Sequence, residues 1–256
     1  IFLCGLARVG SAAFYRKRVD PTSARGTRRW ERVYACGAWA YSGLLGLQCV
    51  LALLLIDDPA VHLVVATMST MAYPPFMLAR LSSTIDSLTK GRFGWNVVTS
   101  AEDLMAKNFG MDKLPAREDR YAMADEYMEV VGKLFDSWEP DAVVLDRKNG
   151  IYADGSKVHT VDPEGRFYKV RGPLNTVPSP QRRPVYLQAG ASPRGRDFAA
   201  QHSDAIVSVA NGIEGMKEFR ADIRARAEKF GRNPDDIKVF FCICPSLGET
   251  EAEAYA

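Results

Sequence analysis

The sequence predicts an α/β fold with a parallel sheet, beginning near residue 58. Short apolar segments typical of buried strands alternate there with longer segments whose apolar residues recur at helical spacing. Strands that alternate with helices form parallel sheets with helical crossovers, as an open sheet or a barrel. Apolar residues make up 47% of the 256-residue chain and charged residues 25%, which excludes wholesale disorder.

The elements follow from these patterns in chain order. We predict strands at 62–67, within 91–100, at 143–145, 167–170, 185–188, 205–209 and 238–244. We predict helices at 76–88, 101–109, 119–138, from Ser192 to about 202, and 213–230. Residues 139–180 are turn-rich and are predicted to be an insertion.

The turn after the strand at 185–188 is the strongest local signal for a binding site. Gly190 allows a sharp turn, Ser192 is a good N-cap and Pro193 suits the first helical position. Free backbone N–H groups at such a helix start favour an anion. The alternative is a plain strand–helix turn with a capped helix.

Polar residues also occur at the ends of the first two predicted strands of the chain. Asn96, in the second strand, has a donor and an acceptor for a planar heterocycle. Thr70 follows the first strand, and carboxyl ends of parallel strands line ligand crevices. Tyr121 is predicted in the first turn of the helix at 119–138, where its hydroxyl would reach a phosphate. Loop capping is the alternative for Asn96, and a surface capping cluster for Tyr121.

The first 57 residues differ from the rest and form a separate segment in our interpretation. A basic stretch precedes residues 34–56, which carry no formal charge and are long enough to cross a bilayer. The same residues also fit a buried helix that leads into a strand. The sequence begins at Ile1 and ends as a helix is starting, so we expect a fragment or misplaced gene boundaries.

Several classes of function are disfavoured by composition and motifs. The net charge of +2 gives no reason to expect a nucleic-acid partner. The five cysteines are odd in number and lack a CxxC pair, which favours free thiols in a reducing compartment, the cytoplasm. The three histidines are scattered, and neither metal-ligand spacing nor a phosphate-loop or dinucleotide fingerprint is present. No catalytic residue can be named.

Four motifs together resemble a known family. "GRFGWNVVTS", "DRYAMADEYMEVV", "SPQRRPVYLQAGASPRGRDFAAQHSDAI" and "GETEAEAYA" are similar to flavin-dependent monooxygenases of the bacterial-luciferase superfamily, in the nitrilotriacetate and dibenzothiophene-sulfone monooxygenase group. The resemblance covers residues 58–256 and implies a TIM-type (β/α)8 barrel, present only in part. It also implies reduced FMN supplied by a separate flavin reductase, reaction with O2, oxidation of a small organic substrate, and a homodimer or larger assembly.

The resemblance also implies roles for particular residues. Tyr121 and Ser192, with the amides around Gly190 and Ala191, would hold the FMN phosphate. Asn96 would touch the flavin ring region, and Thr70 would lie beside the isoalloxazine. These roles are implied by the resemblance. They make the alternative of a plain strand–helix turn less favoured.

Three departures from the family pattern lead to a second expectation, which concerns flavin affinity and turnover. Arg117 stands where the family usually has histidine, four residues before Tyr121, and an arginine can still pair with a phosphate. The family's early acidic residue that faces the flavin has no counterpart in residues 1–57, and its late histidine would lie beyond Ala256. We therefore expect the chain to bind FMN weakly and turn over little. A degenerate flavin-binding barrel, or a membrane-tethered protein, is the alternative.

Overall fold

The computed structural model describes residues 63–242, in which strands and helices alternate as the sequence predicts. Its elements are β1 (Val64–Ser69), α1 (Pro75–Leu88), β2 (Phe93–Val98), α2 (Asp103–Lys107), α3 (Arg117–Phe135), β3 (Val143–Asp146), β4 (Ile151–Ala153), β5 (Val185–Gln188), α4 (Pro193–His202), β6 (Ala205–Ser208), α5 (Gly212–Lys229) and β7 (Lys238–Phe241). The predicted boundary near residue 57 and the apolar run at 34–56 lie outside the described residues.

The main sheet is parallel throughout. Its five strands lie in the order β1-β2-β5-β6-β7, and every neighbouring pair is parallel. The carboxyl ends of all five strands therefore lie at one edge of the sheet, where parallel α/β proteins bind ligands. The predicted parallel α/β architecture is confirmed.

Helices cover one face of this sheet and form the main core with it. Trp95 of β2 is fully buried, with its ring centroid 6.1 Å from that of Tyr127 on α3 and 5.7 Å from that of Tyr186 on β5. The Trp95 indole Nε1 donates to the Met68 carbonyl at 2.9 Å, so its polar atom is satisfied. Burying a large side chain of this kind stabilises the fold by about 1.5–3 kcal/mol.

The opposite face of the sheet carries Thr67 and Asn96, which lie side by side in the β1–β2 register. Gly94 lies on the same face as Asn96, two residues away. A Cβ on Gly94 would lie 2.8 Å from Cδ1 of Leu187, which is too close. Glycine at this position therefore allows the Leu187 side chain to lie across β2.

Two predicted elements differ from the structure, one through a long-range contact and one through a change of backbone direction close by in the sequence. The strand predicted at 167–170 is wrong: Phe167 and Tyr168 donate their backbone N–H groups to the Glu126 carboxylate instead of to a neighbouring strand. Only an isolated bridge between Glu164 and Lys169 forms there. The helix predicted at 101–109 shortens to α2, and Gly110, with a φ of +75°, follows it.

The insertion also contains a hairpin whose second strand the sequence did not reveal. β3 and β4 pair in antiparallel fashion, and Asp146 Oδ1 accepts the N–H groups of Lys148 and Asn149 in the turn. Gly150 completes the turn with a φ of +70°. In the part of the chain from residue 63 to 242, no helix is both long and apolar enough to cross a bilayer.

Candidate functional site

The start of α4 is built as the sequence predicts. Ser192 is its N-cap, and the Ser192 Oγ accepts the backbone N–H of Gly195 at 3.1 Å. Pro193 occupies the first helical position, where its missing N–H costs nothing. The positive end of the helix dipole therefore lies at the carboxyl edge of the main sheet, directly after β5.

Three of the predicted site residues meet at Gly195. A Cβ on Gly195 would lie 2.8 Å from the Tyr121 hydroxyl, 3.1 Å from the Ser192 Oγ and 3.1 Å from the Gly190 Cα. These groups come from α3, from the N-cap of α4 and from the turn after β5. Only the absence of a side chain at Gly195 lets all three groups approach this residue so closely.

The backbone N–H of Gly190 is not free, contrary to the prediction. The N–H of Gly190 donates to the side-chain Oε1 of Gln188, a buried residue at the end of β5. Ala191 is exposed, and its carbonyl accepts the Arg196 Nε at 3.0 Å. An anion at this turn would therefore meet the two hydroxyls and the helix start first, and would reach the Gly190 amide only by displacing Gln188.

Tyr121 lies in the second turn of α3, since the helix begins at Arg117, two residues before the predicted start. Its ring is buried against Phe198 of α4, with the centroids 5.7 Å apart. Its hydroxyl makes no hydrogen bond to any residue within 63–242, so the group is available to a ligand. Tyr121 is thus held by packing rather than by its polar atom.

Arg194 brings a positive charge that the sequence analysis missed. Its guanidinium carbon lies 5.1 Å from the centre of the Tyr121 ring, and the group pairs with Asp125 of α3. Asp125 also lies 3.1 Å from the His202 Nε2, so it joins both ends of α4 to α3. The signal in the sequence was an arginine in the first turn of a capped helix, directly after Pro193.

A second set of ion pairs fixes α4 against α5. Arg196 and Arg226 both donate to Asp222, and Arg226 also pairs with Asp197. Burial alone would raise the pKa of Asp222, but the hydrogen bonds from Arg196 and Arg226 outweigh it and hold that pKa below its usual value. Asp222 is therefore ionised at neutral pH and anchors the helix whose start carries Ser192.

The other predicted site residues lie apart from this cluster. Arg117 is exposed at the start of α3, one turn before Tyr121, and it forms no ion pair with any described residue. Asn96 donates from Nδ2 to the Thr67 Oγ1 at 3.1 Å on the open face of the sheet. Thr70 is buried just after β1, with its amide bonded to the Val98 carbonyl at 2.9 Å.

Thr70 also lines a cavity of about 700 Å³ at the carboxyl end of β1. Residues 167–170 of the insertion and Met123 of α3 line the same cavity. Pockets that hold small organic molecules have this size. This cavity was not predictable from the sequence, because residues far apart in the chain form it.

A parallel sheet with helical crossovers, with a capped helix start and a cavity at its carboxyl edge, is typical of α/β proteins that bind small molecules at that edge. A family model described as luciferase-like monooxygenase matches residues 39–256. The chain therefore belongs to the luciferase-like monooxygenase family and carries part of its TIM-barrel-type fold.

Curated relatives and a solved structure agree with this membership. The long-chain alkane monooxygenase of Geobacillus thermodenitrificans is 50% identical over 75% of this chain and 44% of its own length. The dibenzothiophene-sulfone monooxygenase of Rhodococcus erythropolis is 47% identical over 74% and 42%. A structure of riboflavin lyase with modified FMN and riboflavin has a TM-score of 0.67 and 41% identity, over 77% of this chain and 45% of that one. The chain thus spans less than half of each of these relatives.

Proposed function

We propose that this chain is part of an FMN-dependent monooxygenase that uses reduced FMN and O2 to oxidise a small organic substrate. Family membership and the relatives named as monooxygenases support this reaction over a non-catalytic flavin-binding protein. The similar structure that contains modified FMN supports the choice of flavin. When bound, reduced FMN supplies the reaction with oxygen, and the protein supplies binding and orientation.

The observation that carries the proposal is the approach of Tyr121, Ser192 and Gly190 around Gly195. In this proposal the two hydroxyls donate hydrogen bonds to the FMN phosphate at the positive end of α4. The nearby Arg194 guanidinium adds a favourable field, although Asp125 neutralises part of it. Arg117 would contact the phosphate from the first turn of α3, one turn before Tyr121.

The flavin ring would then extend from the phosphate towards β1 and β2. Asn96 supplies a donor and an acceptor on that face, and Thr70 lies at the end of β1 beside the cavity. These assignments agree with the roles that the family resemblance implies. Both residues would orient the ring, and the cavity would hold the substrate beside it.

Flavin binding is the first test. FMN fluorescence is titrated with the chain, and saturable quenching is expected, weaker than for a complete barrel. The second test measures oxygen uptake with reduced FMN in the presence of sulfone, amine-carboxylate and alkane substrates. Uptake that depends on one of these substrates supports the reaction, whereas uptake that stays at the substrate-free rate with all of them contradicts it.

The proposal also includes a partner, an assembly and a location. A separate flavin reductase would supply reduced FMN, and a homodimer or larger assembly would carry the activity in the cytoplasm. Oxygen uptake that requires an added reductase and NADH tests the partner. Sedimentation velocity tests the assembly, and fractionation of cells that express the tagged protein tests the location.

A further inference from the structure

The lining of the cavity at the end of β1 indicates which substrates the proposed reaction takes. Most of the lining is aromatic or thioether, and these side chains come from the segment after β1, from the region after α2, from α3 and from the insertion. The main contributors are Tyr73, Phe76, Phe109, Met111, Met123 and Phe167. Methionine and aromatic surfaces favour apolar ligands and adapt to their shape.

Charge is nearly absent from the same lining. Lys169 is the only lysine, arginine, aspartate, glutamate or histidine among the lining residues, and it is exposed. Burial, with a smaller effect of Glu126, raises the pKa of Tyr168 to about 12, so this phenol stays neutral. A substrate with several carboxylates would have to leave most of them without a cationic partner in an apolar cavity, which is unfavourable.

The wall formed by residues 167–170 is held by one carboxylate. Glu126 of α3 accepts the N–H of Phe167 at 2.9 and 3.1 Å with its two oxygens, and the N–H of Tyr168 at 2.7 Å. Gly165 allows this approach, because a Cβ there would overlap the Glu126 carboxylate. Both backbone N–H groups bond to the same side chain, so this contact fixes the wall relative to α3.

We propose that this cavity is a substrate site for uncharged, largely apolar molecules, and that Glu126 is the positioning residue that holds its outer wall. The proposal rests on the proposed function for the reaction that follows binding. The binding step itself needs only described residues, which come from the segment after β1, the region after α2, α3 and the insertion. It can therefore be measured without flavin.

The experiment uses the whole chain with two probes, neutral dibenzothiophene sulfone and anionic nitrilotriacetate, and detects binding by saturation-transfer NMR. We expect the sulfone to bind and nitrilotriacetate to show no saturable binding. Glu126→Gln should weaken sulfone binding by about tenfold, because the carboxamide has one acceptor oxygen in place of two and its NH2 group would face the Phe167 N–H. Phe167→Ala should also weaken it by removing part of the wall itself.

Glu129→Gln is the matched control, since Glu129 is exposed on the same helix. It should leave sulfone binding unchanged. FMN affinity, measured on every variant, should also stay unchanged, whereas a general loss of folding would lower both affinities together. This selective loss separates a positioning role from a merely structural one.

Three results would overturn the proposal. These are nitrilotriacetate binding as tightly as the sulfone, no sulfone binding by the unaltered chain, and sulfone binding that neither Glu126→Gln nor Phe167→Ala weakens. If Glu126→Gln does not fold, the effect of Phe167→Ala on sulfone binding alone decides whether the proposal stands. A chain that binds the sulfone as expected but never binds FMN would contradict the proposed function and leave the cavity assignment in place.

Discussion

Gly195→Ala is the substitution that tests the candidate phosphate site most sharply. The new Cβ would lie 2.8 Å from the Tyr121 hydroxyl and 3.1 Å from both the Ser192 Oγ and the Gly190 Cα. Real Cβ atoms essentially never approach as closely as 2.8 Å, so at least the Tyr121 hydroxyl must move away from the start of α4. Gly195 has ordinary helical geometry, so alanine adds no backbone strain at this position.

The expected magnitude follows from the hydrogen bonds that are lost. A hydrogen bond to a charged group contributes about 1.5–3 kcal/mol. If both hydroxyls leave the phosphate, the loss is about 3–6 kcal/mol, which is about a hundredfold or more in the FMN dissociation constant. Fluorescence titration measures this constant, and urea unfolding checks that the variant is folded.

Gly132→Ala provides the matched control, because a Cβ on this helical glycine of α3 meets nothing within 4 Å. The control should bind FMN like the unaltered chain and gain up to about 1 kcal/mol in stability from its higher helix propensity. A folded Gly195→Ala chain that binds FMN as tightly as the control would refute the assignment of the phosphate to this place.

Three further predictions concern the side chains around this site. Ser192→Ala should weaken FMN binding by about 1.5–3 kcal/mol. It should also lower the free energy of unfolding by about 1 kcal/mol through the lost N-cap. Unchanged FMN affinity in the same titration would argue against a contact between Ser192 and the phosphate. Tyr121→Phe keeps the ring against Phe198 but removes the hydroxyl, so it should weaken FMN binding by about tenfold with little change in the unfolding free energy. An equal loss of FMN affinity in Phe198→Leu would show that ring packing, and not the hydroxyl, matters. Asp222 has a lowered pKa in the folded state, so its contribution to stability is present above its unfolded pKa of about 4 and is lost as the pH falls below that value. Asp222→Asn should therefore be less stable at neutral pH and lose less stability than the unaltered chain between about pH 5 and pH 3; parallel pH profiles from urea unfolding would contradict this.

The sequence predicted the main sheet well, because each of its strands is a short apolar run next to a helix with clear start signals. The cap at Ser192 shows why: the cap residue, the proline and the strand before it all specify the same local geometry. The insertion was harder to predict. Residues 167–170 have strand-like composition, but their N–H groups bond to Glu126, which lies more than forty residues earlier in the chain.

The candidate site was predictable only in part for a similar reason. The approach of Tyr121 to the start of α4 depends on helix packing, and the sequence pattern offers only the two residues separately. The bond from Gly190 to Gln188 depends on a side-chain rotamer, and the ion pair of Arg194 with Asp125 crosses two helices. Neither a side-chain rotamer nor a contact between two helices leaves a local periodicity by which it could be recognised.

The preference for FMN over riboflavin tests the central claim most directly, because the two molecules differ only in the phosphate. We expect the unaltered chain to bind FMN at least about a hundredfold more tightly than riboflavin. In the Tyr121→Phe, Ser192→Ala double variant this preference should largely disappear while riboflavin affinity stays the same. A double variant that keeps the full preference for FMN would show that the phosphate is held elsewhere.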